Sequence, residues 1–300
     1  MSIWKGPDLR LLTLGFIFAT SLGAAHAAEC GPDKLGTTRT MGLGTQGGLE
    51  VGEKTYPRTL ALADHEVILT FDDGPTAGTT PEILDALARQ CVRATFFLIG
   101  RNAEALPQLA QREAREGHTI AHHTYSHPGS TLRYMDDAAA RADILRGMAA
   151  DEKAVYGSGA EMSDPATPHP HTPFFRFPGF ADTKELNTWL GAANIGIFGA
   201  DLWASDWIRM TPREELALTL ARLEKTGRGI ILFHDTHQWT ADMLPDFLRE
   251  LKLRGYRVVH MVPASGASPT RDAPPGWTSE TERVIGRLKP RLSARAVPAL

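Results

Sequence analysis

Cysteine is almost missing from this chain of 300 residues, which holds only Cys30 and Cys91. No disulfide framework can carry the fold, and at most one bridge can form. A positive excess is missing too: the net charge is −3 and the sequence pI is about 6.4. That argues against a nucleic-acid surface, which needs a basic domain. There is no block of like charge and no internal repeat. Long hydrophobic runs are absent apart from Leu11 to Leu22, which is too short for a comfortable membrane span. What remains is ordinary globular composition, 42% hydrophobic and 22% charged, enough for a sizeable core.

The one apolar run follows Lys5 and Arg10 and leads to Ala25-His26-Ala27. A basic start, an apolar stretch and an A-x-A site predict an export leader over 1–27, with an uncleaved anchor as the alternative. An exported chain would meet oxidising conditions with both cysteines intact. A Cys30–Cys91 bond is expected, against two unrelated thiols with Cys91 buried in the core. Residues 28–65 are rich in Gly and Thr and predict an irregular arm with at most one short strand.

From Glu66 onward short apolar runs alternate with helical patterns. Strands are predicted over 66–71, 93–100, 118–124, 174–177, 195–200, 229–234 and 256–261. Helices are predicted over 79–90, 104–116, 135–156, 184–194, 213–226 and 240–251, with an exposed Pro-, Gly- and Ser-rich loop over 157–173. Alternation of this kind means parallel βαβ units, and about seven of them suggest a barrel-like α/β fold. Residues 263–300 are expected to form a loosely ordered tail, with at most a short helix near 279–288.

In parallel α/β folds the chemistry sits at the carboxyl ends of the strands. The residues that follow the predicted strands are titratable: Asp72 and Asp73, then His122, His123 and His127, then Asp201 and Asp206, then His234, Asp235 and His237. His118 and His122 form one H-x-x-x-H pair, and His123 and His127 another. Strand alternation puts His118 and His122 on one face and His123 on the other. A helical turn past the strand end would bring His123 and His127 to one cation. Two imidazoles and a carboxylate make a common open zinc site.

"TFDD" at 70–73, "HTYSH" at 123–127, "RFPGF" at 176–180, "DLWASDW" at 201–207 and "LFH" at 232–234 together resemble the polysaccharide deacetylase family, the NodB-homology domain of carbohydrate esterase family 4. The resemblance covers roughly 66–262 and implies a distorted (β/α)7 barrel. It implies that Asp72 is the catalytic base, paired with Arg176, and that Asp73, His123 and His127 hold the metal. It further implies that Asp206 orients His234, the general acid, while Trp207 walls the groove and Leu232 shapes the acetyl pocket. Many family members place an aromatic directly after the proline, whereas Gly179 precedes Phe180 here. Either backbone N–H could then serve the oxyanion.

The implied activity is metal-dependent removal of N-acetyl groups from GlcNAc-containing glycans outside the cytoplasm. Zinc is the expected ion, with cobalt or another divalent transition metal as substitutes. The expected partner is an acetylated glycan, with no nucleic acid and no membrane span after leader cleavage. Rival expectations are an O-acetyl (xylan-type) esterase, a hydrolase of small cyclic amides on the same fold, and a non-catalytic carbohydrate binder.

Overall fold

The computed structural model describes residues 1–2, 30–129, 131–157 and 170–295. Nearly all of the leader expected over 1–27 and most of the 157–173 loop lie outside them. The first strands are β1 (Thr37–Leu43), β2 (Leu49–Val51), β3 (Arg58–Leu60) and β4 (Glu66–Asp72). Then come α1 (Thr79–Arg89), β5 (Thr95–Leu98), α2 (Gly100–Ala105), α3 (Pro107–Arg115) and β6 (Thr119–His122). The middle holds α4 (Asp137–Tyr156), β7 (Phe174–Phe175), α5 (Lys184–Ala192), β8 (Gly196–Phe198) and β9 (Leu202–Trp203). The chain continues through α6 (Pro212–Thr226), β10 (Gly229–His234), α7 (Gln238–Leu253), β11 (Arg257–Pro263), β12 (Thr270–Asp272) and α8 (Glu280–Arg295).

The main sheet has ten strands, and all its pairings are parallel. β4 pairs with β5, β5 with β6, β6 with β7 and β7 with β8. On its other side β4 pairs with β10, and β10 with β9. β8 pairs on its far side with β2, and no ladder among the described residues joins β8 or β2 to β9, so the ring is interrupted there. β11 meets β4 only at Glu66 and Val67 and then runs beside β1, which splays the sheet at one end. This is the distorted barrel that the motifs imply.

Alternation along β4 divides its side chains between two environments. Val67, Leu69 and Phe71 pack outward against α1 and α7, through Leu84, Leu87, Leu244 and Phe247. Ile68 joins Phe97, Phe174, Phe198 and Ile230 in the barrel interior. Thr70 and Asp72 share that inward face, and the last inward position of the strand therefore carries a carboxylate.

Two segments differ from expectation. Residues 28–65 carry three strands, not at most one: β1 adds to β11, β2 to β8, and β3 pairs antiparallel with β12. β1 alternates exposed and buried residues, and β2 and β3 have three residues each. The segment after 263 supplies β12 and a 16-residue helix, α8. The helix expected over 104–116 is broken into α2 and α3 at Pro107, which lacks the N–H to continue a helix but suits a first turn. Cys30 and Cys91 are joined by a disulfide, with Cα atoms 5.8 Å apart.

Candidate active site

The carboxyl ends of β4, β6 and β10 and the turns after β7 and β9 meet over one cavity of about 350 Å³. Asp72, Asp73, His123, His127, Gly179, Phe180, Trp207, Leu232 and His234 all line it. Arg176 and Asp206 lie behind this lining, fully buried.

Asp72 faces the guanidinium of Arg176 at 2.6 Å inside the barrel. The same guanidinium donates to Thr70 Oγ1 at 2.9 Å and to the carbonyls of Phe198 and Gly199 at 3.1 and 3.0 Å. Its flat face lies 4.1 Å from the Phe97 ring centre. A buried charge pair tolerates loss of one partner poorly, because the survivor stays charged and desolvated. Here every edge of the guanidinium finds a partner, so Asp72 is held in one place.

Asp73 leaves the strand with a left-handed backbone, φ 76°. Its carbonyl accepts from Asn102 Nδ2 at 2.8 Å, which supports that conformation. The turn between His123 and His127 is not helical. Left-handed residues at Thr124 (φ 69°) and His127 (φ 46°) fold it back, and Thr124 Oγ1 accepts from the His127 N–H at 3.0 Å. The outcome resembles the expected one: the two rings lie 5.3 Å apart, centre to centre. Backbone outliers at Asp73, Thr124, His127 and Phe180 gather at this site, where such strain tends to concentrate.

Asp73, His123 and His127 offer ligand atoms within 4.8 Å of one another. Asp73 Oδ1 is 3.4 Å from His123 Nε2 and 3.5 Å from His127 Nε2. That oxygen is buried and has no hydrogen-bond partner among the described residues. His123 Nδ1 lies 2.7 Å from the Arg176 carbonyl, which can only accept. The proton therefore sits on Nδ1, and the Nε2 lone pair points at the Asp73 oxygen. Burial pushes the His123 imidazole down to about 4, despite Asp72 and Asp73 beside it. A neutral imidazole lone pair against a bare carboxylate oxygen is a donor set suited to a cation between them.

Across the cavity, His234 Nδ1 donates to Asp206 Oδ1 at 2.8 Å, and its backbone N–H to Oδ2 at 2.6 Å. Its Nε2 faces inward, 3.9 Å from Asp73 Oδ2. Burial disfavours the imidazolium, but Asp206, with Asp73 and Asp72, outweighs it and pushes the group up to about 10. Trp207, 47% exposed, stands edge-on to this ring at 6.0 Å and leaves a face open to solvent.

The sequence reading missed the groups that hold Asp206. Thr240 Oγ1 lies 3.0 Å from Asp206 Oδ2 and 3.2 Å from Glu215 Oε1, and Trp239 Nε1 donates to the Asp206 carbonyl at 2.9 Å. Burial and the Asp206 charge push Glu215 up to about 8. Glu214 and Glu215 both read as first-turn acids of a helix; only Glu214 closes a capping box with Thr211. Nothing in the pattern marked its neighbour as buried.

His118, His122, Asp201 and Asp235 do not line the cavity, whereas His237 lies beside His234, ring centres 5.8 Å apart. His122 points away from the cavity to Asp151 at 2.8 Å, and His118 Nδ1 accepts from the Ala94 N–H at 3.0 Å. Asp201 accepts from Thr59 Oγ1 and from the backbone of Glu53 and Ile230, tying the chain before β4 to β10. Asp235 accepts from Thr80 Oγ1 and packs against Gly74, where a Cβ would come within 2.1 Å of it.

Residues 60–160 match the family model of the polysaccharide deacetylases. A chitooligosaccharide deacetylase of Sinorhizobium fredii is 35% identical over 61% of this chain and 77% of its own length. A peptidoglycan-N-acetylglucosamine deacetylase of Listeria monocytogenes is 31% identical over 66% of this chain, which spans 38% of the Listeria protein. Among solved structures, a peptidoglycan deacetylase of Bdellovibrio bacteriovorus is 30% identical, with a TM-score of 0.65 over 78% of this chain and 61% of that one.

Proposed function

Because this chain belongs to the polysaccharide deacetylase family, we propose that it is an exported, metal-dependent deacetylase that hydrolyses N-acetyl groups of GlcNAc-containing glycans. The observation that carries the reading is the facing pair of devices over one cavity. Asp72 braced by Arg176 lies on one side, His234 braced by Asp206 on the other, and the Asp73, His123 and His127 donors lie between. Zinc suits two imidazoles and a carboxylate with a position left open. Held there, it would polarise the acetyl carbonyl and acidify the attacking water.

The chain's own residues do the rest. Asp72 takes the proton of the attacking water, its orientation fixed by Arg176. The Phe180 N–H already donates to the Phe177 carbonyl at 2.8 Å, so the Gly179 N–H is the donor assigned to the developing oxyanion. His234 carries its proton on Nε2 toward the cavity and delivers it to the departing amine. Leu232 and Phe180 form the apolar floor that receives the acetyl methyl, within a cluster that also includes Ala200 and Trp203. The products are acetate and a glucosamine unit. Export is supported by the basic-then-apolar start and by a disulfide, which persists in oxidising compartments.

The test is acetate release from peptidoglycan, chitin oligomers and acetylated xylan, before and after chelation and with defined metals returned. Release from the first two, lost on chelation and restored by zinc or cobalt, is expected. Release from xylan alone would make the protein an O-acetyl esterase, and activity indifferent to chelation would remove the metal from the reading.

A further inference from the structure

The cavity is not walled by barrel loops alone. Thr281, Val284 and Ile285 of α8 also line it. Their spacing, i, i+3 and i+4, places all three on one face of the helix. The start of the helix is docked, while Val284, 39% exposed, stands at the cavity rim. Thr281 is buried, its Oγ1 lies 3.0 Å from Thr55 Oγ1, and its N–H donates to the Lys54 carbonyl at 3.0 Å. Glu280 pairs with Lys54. Glu282 accepts from Arg133 at 2.5 and 3.0 Å, and Arg133 also grips the carbonyl and carboxylate of Asp182. Just before the helix, Trp277 Nε1 donates to the Glu53 carbonyl at 2.7 Å.

A second and larger cleft, about 1360 Å³, is lined by Trp277 and Glu282 of this same segment, with Tyr56, Asp182 and Asn187. The segment that leads into and begins α8 therefore borders two cavities. Residues 281, 284 and 285 face the catalytic one, and 277 and 282 face the larger one. A glycan bound in mid-strand must leave the site in two directions. α8 occupies the side toward the larger cleft, and the 350 Å³ that remain are at the small end of the ~300–1,000 Å³ typical of ligand sites.

We propose that α8 makes the site selective for glycan chain ends and short oligosaccharides, with Val284 and Ile285 as specificity-determining side chains. The inference rests on the deacetylase reading above. An N-acetylglucosamine hexamer is the probe, with the freed amine located by tandem mass spectrometry. The parent protein should deacetylate a terminal unit only. The Val284→Ala/Ile285→Ala variant, and Arg133→Ala, which loosens the docking, should admit internal units. They should also raise kcat/KM on a long, soluble acetylated polymer relative to the dimer about ten-fold, the lower range for a changed pocket contact. Internal deacetylation by the parent, or an unchanged polymer-to-dimer ratio in folded variants, overturns the proposal. A variant that fails to fold lowers both rates alike, and the parent's product pattern still decides. Acetate from none of these glycans refutes the deacetylase reading itself, and the wall with it.

Discussion

Asp72 and Asp73 are neighbours in the chain and should fail differently when altered. Asp72 lies on the inward face of β4 with its charge met by Arg176, whereas Asp73 sits past the strand end with one oxygen facing two imidazole nitrogens. Asp73→Asn should lower bound zinc per chain, and excess zinc should restore part of the activity. Asp72→Asn should keep the zinc and lose turnover by about 10²–10⁴, the range for general-base assistance. Asn is close to Asp in size, so packing explains neither result. Metal per chain and acetate release, measured on both, check the division; a zinc-free Asp72→Asn would reverse it. These residues were legible because titratable side chains stand out at the ends of apolar strands. Glu215 and Thr240 were not, because a first-turn acid and a helical threonine look alike whether exposed or buried.

At the scale of elements, the strands that the sequence revealed are those buried on both faces, such as β4, where every residue is buried. β1 was hidden because its first half exposes alternate polar residues, and β2, β3, β9 and β12 because their two or three residues lie in no longer apolar run such as those that hold the equally short β7 and β8. β1 is nonetheless tied in by charge as well as by its ladder. Arg39 reaches across β11 to Glu66 at the start of β4, with two bonds of 2.9 and 2.6 Å. The Arg39 guanidinium, against some opposing burial and with help from the Ala63 N–H, holds the Glu66 carboxyl down at about 2, from an ordinary 4.5. A depressed folded pKa contributes stability above the unfolded value and loses it as pH falls through the folded one. Glu66→Gln should therefore cost on the order of 1 kcal/mol at pH 7, since Arg39 is partly exposed. The gap between parent and variant in urea midpoint should close as pH drops from about 4.5 toward 2. A gap that stays constant over that range would mean the ion pair is not its source.

For the whole molecule, parallel strands put all carboxyl ends at one pole, where the cavity lies, and all amino ends at the other. The Cys30–Cys91 bond belongs to the second pole. Cys91 lies between α1 and β5, and its carbonyl accepts from the N–H of Thr37, the first residue of β1. The bond spans 61 residues of sequence and ties the chain before β1 to the barrel. A cross-link of that span restricts the unfolded chain and typically contributes ~2–4 kcal/mol. The chemistry at the opposite pole touches neither cysteine. The Cys30→Ser/Cys91→Ser double variant, which leaves no lone thiol behind, should thus lower the urea midpoint by an amount worth ~2–4 kcal/mol. At 25 °C its kcat/KM for acetate release should match the parent's. A fall in kcat/KM at full foldedness, checked by circular dichroism in the assay buffer, would mean that the two poles are coupled through the strands. An unchanged midpoint would mean that β1 is held by its ladder and the Arg39–Glu66 pair alone.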